Sequence, residues 1–220
     1  MKKAILLTCV VAVTFFVKCK KDDGGNNTNN NPAQDFSPMK AGTNLTYRRT
    51  TGPVSDTAKY TASSNTTTIN GKTYSLIVSD KGDTIYMAKV DQNYYRYTDF
   101  GFLAEKTEEL YLKGDANIND TWTVNTTYTV SGFPVPITLT YKLADKAMSK
   151  TVAGHNFTDV MHVGIVISAS GFGNIGSGDF YYAKGIGMIE NQITVSVHNA
   201  IPPVNFDLST SQQLISYEIK

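Results

Sequence analysis

Past residue 36, no stretch of ten residues spaces its apolar side chains as a helix would. They recur instead at every second position, and turn residues interrupt them roughly every eight to fourteen positions. A period of two is that of a β-strand, whose successive side chains point to opposite faces. Ile137, Leu139 and Tyr141 share one face, and Thr138 and Thr140 the other. Ile193, Val195 and Val197 alternate with Thr194, Ser196 and His198. Met161, Val163, Ile165 and Ile167 repeat the pattern, with Val160 and Val166 adding apolar surface to the opposite face. One buried and one wet face is the habit of antiparallel sheets.

Turn chemistry sets the connectivity. Asn70-Gly71 stands between a Thr-rich arm and an apolar arm, which is the strongest short hairpin signal. Lys81-Gly82 breaks the next pair, and Asp91-Gln92-Asn93 leads into YYRYTDF. Further strands are expected at Leu45–Thr50, Thr107–Leu112, Thr121–Val130, Val135–Leu143, Phe157–Ser168, Asp179–Ala183, Met188–Val197 and Gln212–Ile219. Thirteen Tyr and ten Phe, with frequent Thr and Val, are β-favouring usage. About twelve strands exceed what one flat sheet carries. The expected fold is therefore all-β, an antiparallel meander curling into a barrel-like or two-layer sheet. A chain of this size buries roughly 70% of its unfolded surface, enough for one core. Both cysteines, Cys9 and Cys19, precede that body, so it holds no disulfide.

The N-terminus sets an address. Lys2 and Lys3 precede an apolar run from Ala4 to Val17. That run is shorter than the roughly 20 residues a membrane-spanning helix needs, and it matches a signal-peptide core. Cys19 follows, then a Gly- and Asn-rich polar segment. This order resembles the signal of bacterial lipoproteins, which implies cleavage before Cys19 and acylation of its thiol. Such lipoproteins usually have a small residue before the cysteine, whereas this chain has Lys18. Lys21-Asp22-Asp23 resembles the export signal of Bacteroidota surface lipoproteins. MKAGTNLTYRR, KTVAGHNFTDVMHV and GDFYYAKGIGMIE resemble segments of uncharacterised lipoproteins of that group with an all-β body. The expected organisation is a signal peptide over 1–18, a lipidated cysteine and flexible tether over 19–36, and one all-β domain over 37–220. A coil of that tether's length would hold the domain about 20–25 Å from its anchor.

Chemistry-bearing motifs give little. Gly171-Phe172-Gly173-Asn174-Ile175-Gly176 fits GxGxxG, but SGDFY after it reads as loop and strand, not the helix a phosphate site requires. His155, His162 and His198 lack the spacing of a metal site, and structural roles are expected. Glu105, Glu108 and Glu109 lie too close together for a glycosidase pair and are expected on a solvated face. No GxSxG occurs. Trp122, with Val124, Thr126 and Tyr128, is expected to face the core near its edge. Candidate ligand-binding side chains are Tyr94, Tyr95 and Tyr97 beside Arg96, and Tyr181 and Tyr182, because amphipathic aromatics line cavities and stack on sugars.

The chain is thus expected to be a lipid-anchored outer-membrane surface protein with a binding or scaffolding role. No catalysis, cofactor or metal is expected. The membrane is the partner implied by the anchor, together with an unidentified ligand or protein. With a formal net charge of +1 and no basic face, nucleic acid is not expected as a partner. Two alternatives stand beside this reading. A barrel could carry a hydrophobic small molecule, which an unfilled apolar interior would favour. A glycan-binding module is the other, which a row of coplanar surface aromatics would favour.

Overall fold

The computed structural model describes residues 35–37, 39–98, 106–130, 133–198 and 206–220. Among them are twelve strands: β1 (Asn44–Thr51), β2 (Val54–Ile69), β3 (Lys72–Ser79), β4 (Thr84–Val90), β5 (Asn93–Thr98), β6 (Thr107–Lys113), β7 (Thr121–Val130), β8 (Phe133–Val152), β9 (His155–Ala169), β10 (Gly173–Ala183), β11 (Gly187–Val197) and β12 (Phe206–Glu218). All pairings are antiparallel and sequential, and β1 also pairs with β12. The sheet runs β6-β5-β4-β3-β2-β1-β12-β11-β10-β9-β8-β7 and wraps into a nearly closed barrel. The two strands nearest the chain ends are thus hydrogen-bonded partners. The seam falls where the chain is continuous, between β6 and β7.

The turns explain the meander. Asn70 and Gly71 both have positive φ, 50° and 76°, as a two-residue I′ hairpin requires. Asp91 (φ 54°) and Gly82 (φ 94°) take the same region at the next two reversals. Ala153 and Gly154 (φ 48° and 86°) turn β8 into β9. Those two strands run past the barrel as a hairpin arm, with register shifts from Leu143 to Lys150 that bend it. The arm lies against the neighbouring wall. Lys150 pairs with Glu190 at 2.7 Å, and the ring of His155 reaches the carbonyl of Ile215.

The alternation read from sequence is the one that packs. Ile137, Leu139, Tyr141 and Leu143 on β8, with Met161, Val163, Ile165 and Ile167 on β9, form one core with Phe180 and Tyr182. Fully burying a side chain of this kind contributes roughly 1.5–3 kcal/mol. A second cluster joins Val152, Phe157 and Val160 of the arm to Ala183, Ile189 and Leu214, and to Tyr47 and Tyr60. Val160 is therefore buried, whereas Val166 is exposed.

The barrel has two mouths. At one, residues 35–37 fold inward as a plug. Gly185 donates its N–H to the Asp35 carbonyl at 2.6 Å. The Asp35 carboxylate meets Lys89 Nζ at 3.1 Å, with both side chains largely buried. Phe36 packs edge-on against Tyr94, with ring centroids 6.3 Å apart. The opposite mouth lies at the Thr51–Val54 and Ser79–Thr84 reversals and is left uncovered among the described residues.

Candidate functional site

A funnel of about 760 Å³ occupies the open mouth. Its rim carries Arg49, Asp56 and Asp83, and its walls carry Phe180, Met188 and Ile193. Arg49 grips Asp56 with two hydrogen bonds, at 3.0 and 2.6 Å, and lies 3.6 Å from Asp83. The bidentate bond to Asp56 raises the Arg49 pKa above its ordinary value, and the same bond lowers that of Asp56.

A cavity of about 80 Å³ adjoins the funnel. Tyr60, Ile85, Arg96, Met188 and Gln212 line both spaces. Tyr47, Ile77 and Met87 make the cavity walls apolar, and Phe36 and Ser37 of the plug line its far end. At the junction stands an ion pair. Arg96 Nε and Nη2 lie 2.8 and 2.6 Å from Glu109 Oε2. The Glu109 side chain is 0% exposed, and its other oxygen accepts a short hydrogen bond from the Tyr141 hydroxyl. Burial alone would lower the Arg96 pKa, but the Glu109 charge and hydrogen bond together with the Tyr182 and Tyr141 hydroxyls outweigh it and hold the guanidinium above its ordinary value. Burial pushes the Tyr141 and Tyr182 hydroxyls well up.

This corrects the expectation that the Glu105–Glu109 segment is a solvated face. Glu109 points inward, because it sits directly opposite Arg96 on the barrel's inner face. Glu108, one residue away, points outward but is only partly exposed, bound by Lys72 Nζ at 2.8 Å and by the Tyr74 hydroxyl at 2.6 Å. Glu105 lies outside the described residues.

The five tyrosines separate. Tyr94 is buried at the plugged mouth, where its hydroxyl accepts from the Phe36 N–H, and Tyr182 borders the cavity. Tyr95 and Tyr97 flank inward-facing Arg96 and so face outward. Lys72 sits over the Tyr95 ring, and Tyr97 meets Tyr74 and Tyr86 edge-on, at interplanar angles of 61° and 67°. Tyr181 is held between His162, stacked 4.4 Å away, and Lys150, 3.6 Å over its ring. Cys19, Lys21, Asp22 and Asp23 lie outside the described residues.

The remaining motifs have structural places. His162 and His198 bind Asp179 and Asp207, at 2.6 and 3.1 Å. The glycine run is the β9–β10 turn and the start of β10, with Gly171 and Gly173 at positive φ. Trp122 is buried on β7. Its indole N–H donates to the Leu110 carbonyl at 2.7 Å, and its ring stacks on Tyr141 at 5.6 Å.

No protein-family model and no curated protein matches the chain. Solved structures do. A protein of Parabacteroides distasonis described as a lipoprotein is 11% identical, with a TM-score of 0.53 over 84% of this chain and 99% of its own. A Bacteroides fragilis protein, described as exported and YmcC-like in fold, is 13% identical, with a TM-score of 0.50 and the same coverage. YmcC of Escherichia coli, described as a lipoprotein, is 10% identical, with a TM-score of 0.42 over 78% of this chain and 83% of its own. At such identities the likeness of the first two is one of fold. The all-β body expected from sequence is the fold found, and it is shared with proteins of the Bacteroidota.

Proposed function

We propose that this chain is a lipoprotein of the bacterial cell envelope, anchored through Cys19 in the outer membrane, whose barrel binds a small molecule at its open mouth without catalysis. The funnel above Arg96 carries this reading. Small-molecule sites are concave, about 300–1,000 Å³, and combine apolar walls with a few placed polar groups. At about 760 Å³ the funnel lies in that range. The order of charged, apolar and cysteine residues at the N-terminus supports the anchor, as do the descriptions of the P. distasonis and B. fragilis proteins.

The other readings have less support. The apolar cavity is far too small to enclose a lipid. The outer tyrosines Tyr74, Tyr86 and Tyr97 meet edge-on, so they form no coplanar platform for a sugar.

Two experiments test the proposal. Cys19→Ala should abolish palmitate incorporation and release the protein from the envelope fraction. A variant still in that fraction, with palmitate still incorporated, would overturn the anchor. Native mass spectrometry of protein taken from its own envelope should show a small-molecule adduct that Ile193→Trp, which narrows the funnel, removes. Equal adducts in a folded variant, or none in the wild type, would count against the binding role.

A further inference from the structure

We infer that the funnel selects an uncharged polar molecule bearing a short apolar tip, such as an alkylated sugar or a short-chain amide, and not a fatty acid or other anion. This inference rests on the binding role proposed above and names the class of ligand.

The first argument is charge. The funnel lining carries Arg49, Arg96 and Lys106 together with Asp56 and Asp83, and the Lys106 ammonium lies over the ring of outward-facing Tyr86, 5.1 Å from its centroid. Arg49 is committed to both aspartates, and Arg96 to the buried Glu109. An incoming carboxylate would compete with carboxylates already seated on both guanidinium groups. Displacing Glu109 would leave a fully buried charge without its partner, which is strongly unfavourable. Hydroxyl and amide groups carry no such cost. They find Asn191, Thr210 and Gln212 on the funnel surface, side chains that donate and accept neutral hydrogen bonds.

The second argument is size. The apolar cavity beneath the funnel measures about 80 Å³, whereas an engineered cavity that holds benzene measures about 150 Å³. Only a tip of a few carbons fits below Met188 and Ile85. Phe36 and Ser37 line its far end. Polar body above and short tip below fits the two adjoining spaces, which share Tyr60, Ile85, Arg96, Met188 and Gln212.

The methionine methyl groups provide the assay. Met188 lines both spaces and Met87 lines the cavity, while Met148 and Met161 border neither. Full-length protein with labelled methionine methyls is titrated with butyl β-glucoside, butyrate and dodecanoate. Butyl glucoside should shift Met188 and Met87 saturably, leave Met148 and Met161 in place, and bind at least about tenfold more tightly than either acid. In Ile193→Trp the shifts should be lost, with the Met161 resonance reporting that the core is intact. If either acid binds as well as the glucoside at Met188, the class is wrong while the funnel remains a binding site. If the glucoside shifts no methionine, the class is also wrong, and the adduct measurement above then judges the binding role separately. Shifts that persist in a folded Ile193→Trp would place the glucoside outside the funnel and overturn the inference as well.

Discussion

The Tyr141 hydroxyl on β8 donates to the Glu109 carboxylate on β6, passing over the inner side of β7 and across the seam of the barrel. Beside it, Trp122 on β7 stacks on Tyr141 and donates to the Leu110 carbonyl on β6. Thr107 and Thr126 add a hydroxyl contact at 2.6 Å farther along. Every other neighbouring pair of strands shares a backbone ladder. Here side chains take over that role.

Glu109 should therefore be among the most sensitive positions in the body. Glu109→Ala leaves the largely buried Arg96 guanidinium without the Glu109 charge, and losing one partner of a buried pair costs about 3–5 kcal/mol. Tyr141→Phe keeps the ion pair and removes one hydrogen bond, at a cost of about 1–3 kcal/mol. Chemical denaturation should rank Glu109→Ala well below Tyr141→Phe in stability. The reverse order would mean that the ion pair does not hold the seam.

Trp122 makes a second, separable test. Trp122→Ala removes a buried ring, for about 3–5 kcal/mol. Trp122→Phe keeps much of the ring area and loses the indole bond to Leu110, for about 1 kcal/mol. As the only tryptophan, Trp122 reports on itself. Native emission should be blue-shifted and move red on denaturation, because the side chain is only 7% exposed. A native maximum already at the water-exposed position would contradict this placement of the ring.

The pattern of the strands was legible because burial acts on alternate residues, and β7 runs over the residues expected, Thr121–Val130. The first part of β2 was not legible. Its buried residues are Ala58, Tyr60 and Ala62, and alanine carries little β signal. The hairpin arm was missed because register shifts interrupt its alternation. Glu109 was misplaced because carboxylates are rarely buried without a partner. Its partner, Arg96, becomes visible only when YYRYT is laid antiparallel to TEELYL, which sets Arg96 against Glu109. The funnel was not legible, since strands far apart in sequence line it. The glycine run was read as loop and then strand, which is the structure found, but its geometric use emerges only from the sheet.

That use gives a third prediction. Gly176 and Gly178 face β11 so closely that added Cβ atoms would lie 2.5 Å from the Thr194 carbonyl oxygen and 2.6 Å from that of Gln192. No real Cβ tolerates such a distance to backbone, so the strands would have to move apart. Gly178→Ala should destabilise the body by about 1–3 kcal/mol, as overpacking does. Gly154→Ala, where a Cβ meets open space, should cost less despite its positive φ. Equal unfolding midpoints for Gly178→Ala and the wild type would show that β10 and β11 separate at no cost.

The buried phenols predict how the barrel fails at high pH. Burial raises the hydroxyls of Tyr47, Tyr111, Tyr141 and Tyr182 above their ordinary range. Below about pH 10, the value of a free tyrosine, each is neutral whether the chain is folded or not, so none makes stability depend on pH. Above that, the unfolded chain gives up these protons while the folded barrel keeps them. The unfolded state then binds fewer protons, and stability falls as pH rises. The body should hold its unfolding free energy up to about pH 10 and lose it progressively beyond. Phenolate absorbance should rise in a cooperative step that coincides with loss of the β-sheet circular dichroism signal. Tyr182→Phe removes one group that pulls the equilibrium toward the unfolded chain. Measured against its own neutral-pH stability, this variant should lose less on the alkaline side. Gradual ionisation of all tyrosines with the sheet signal intact would mean that these hydroxyls reach solvent in the folded protein.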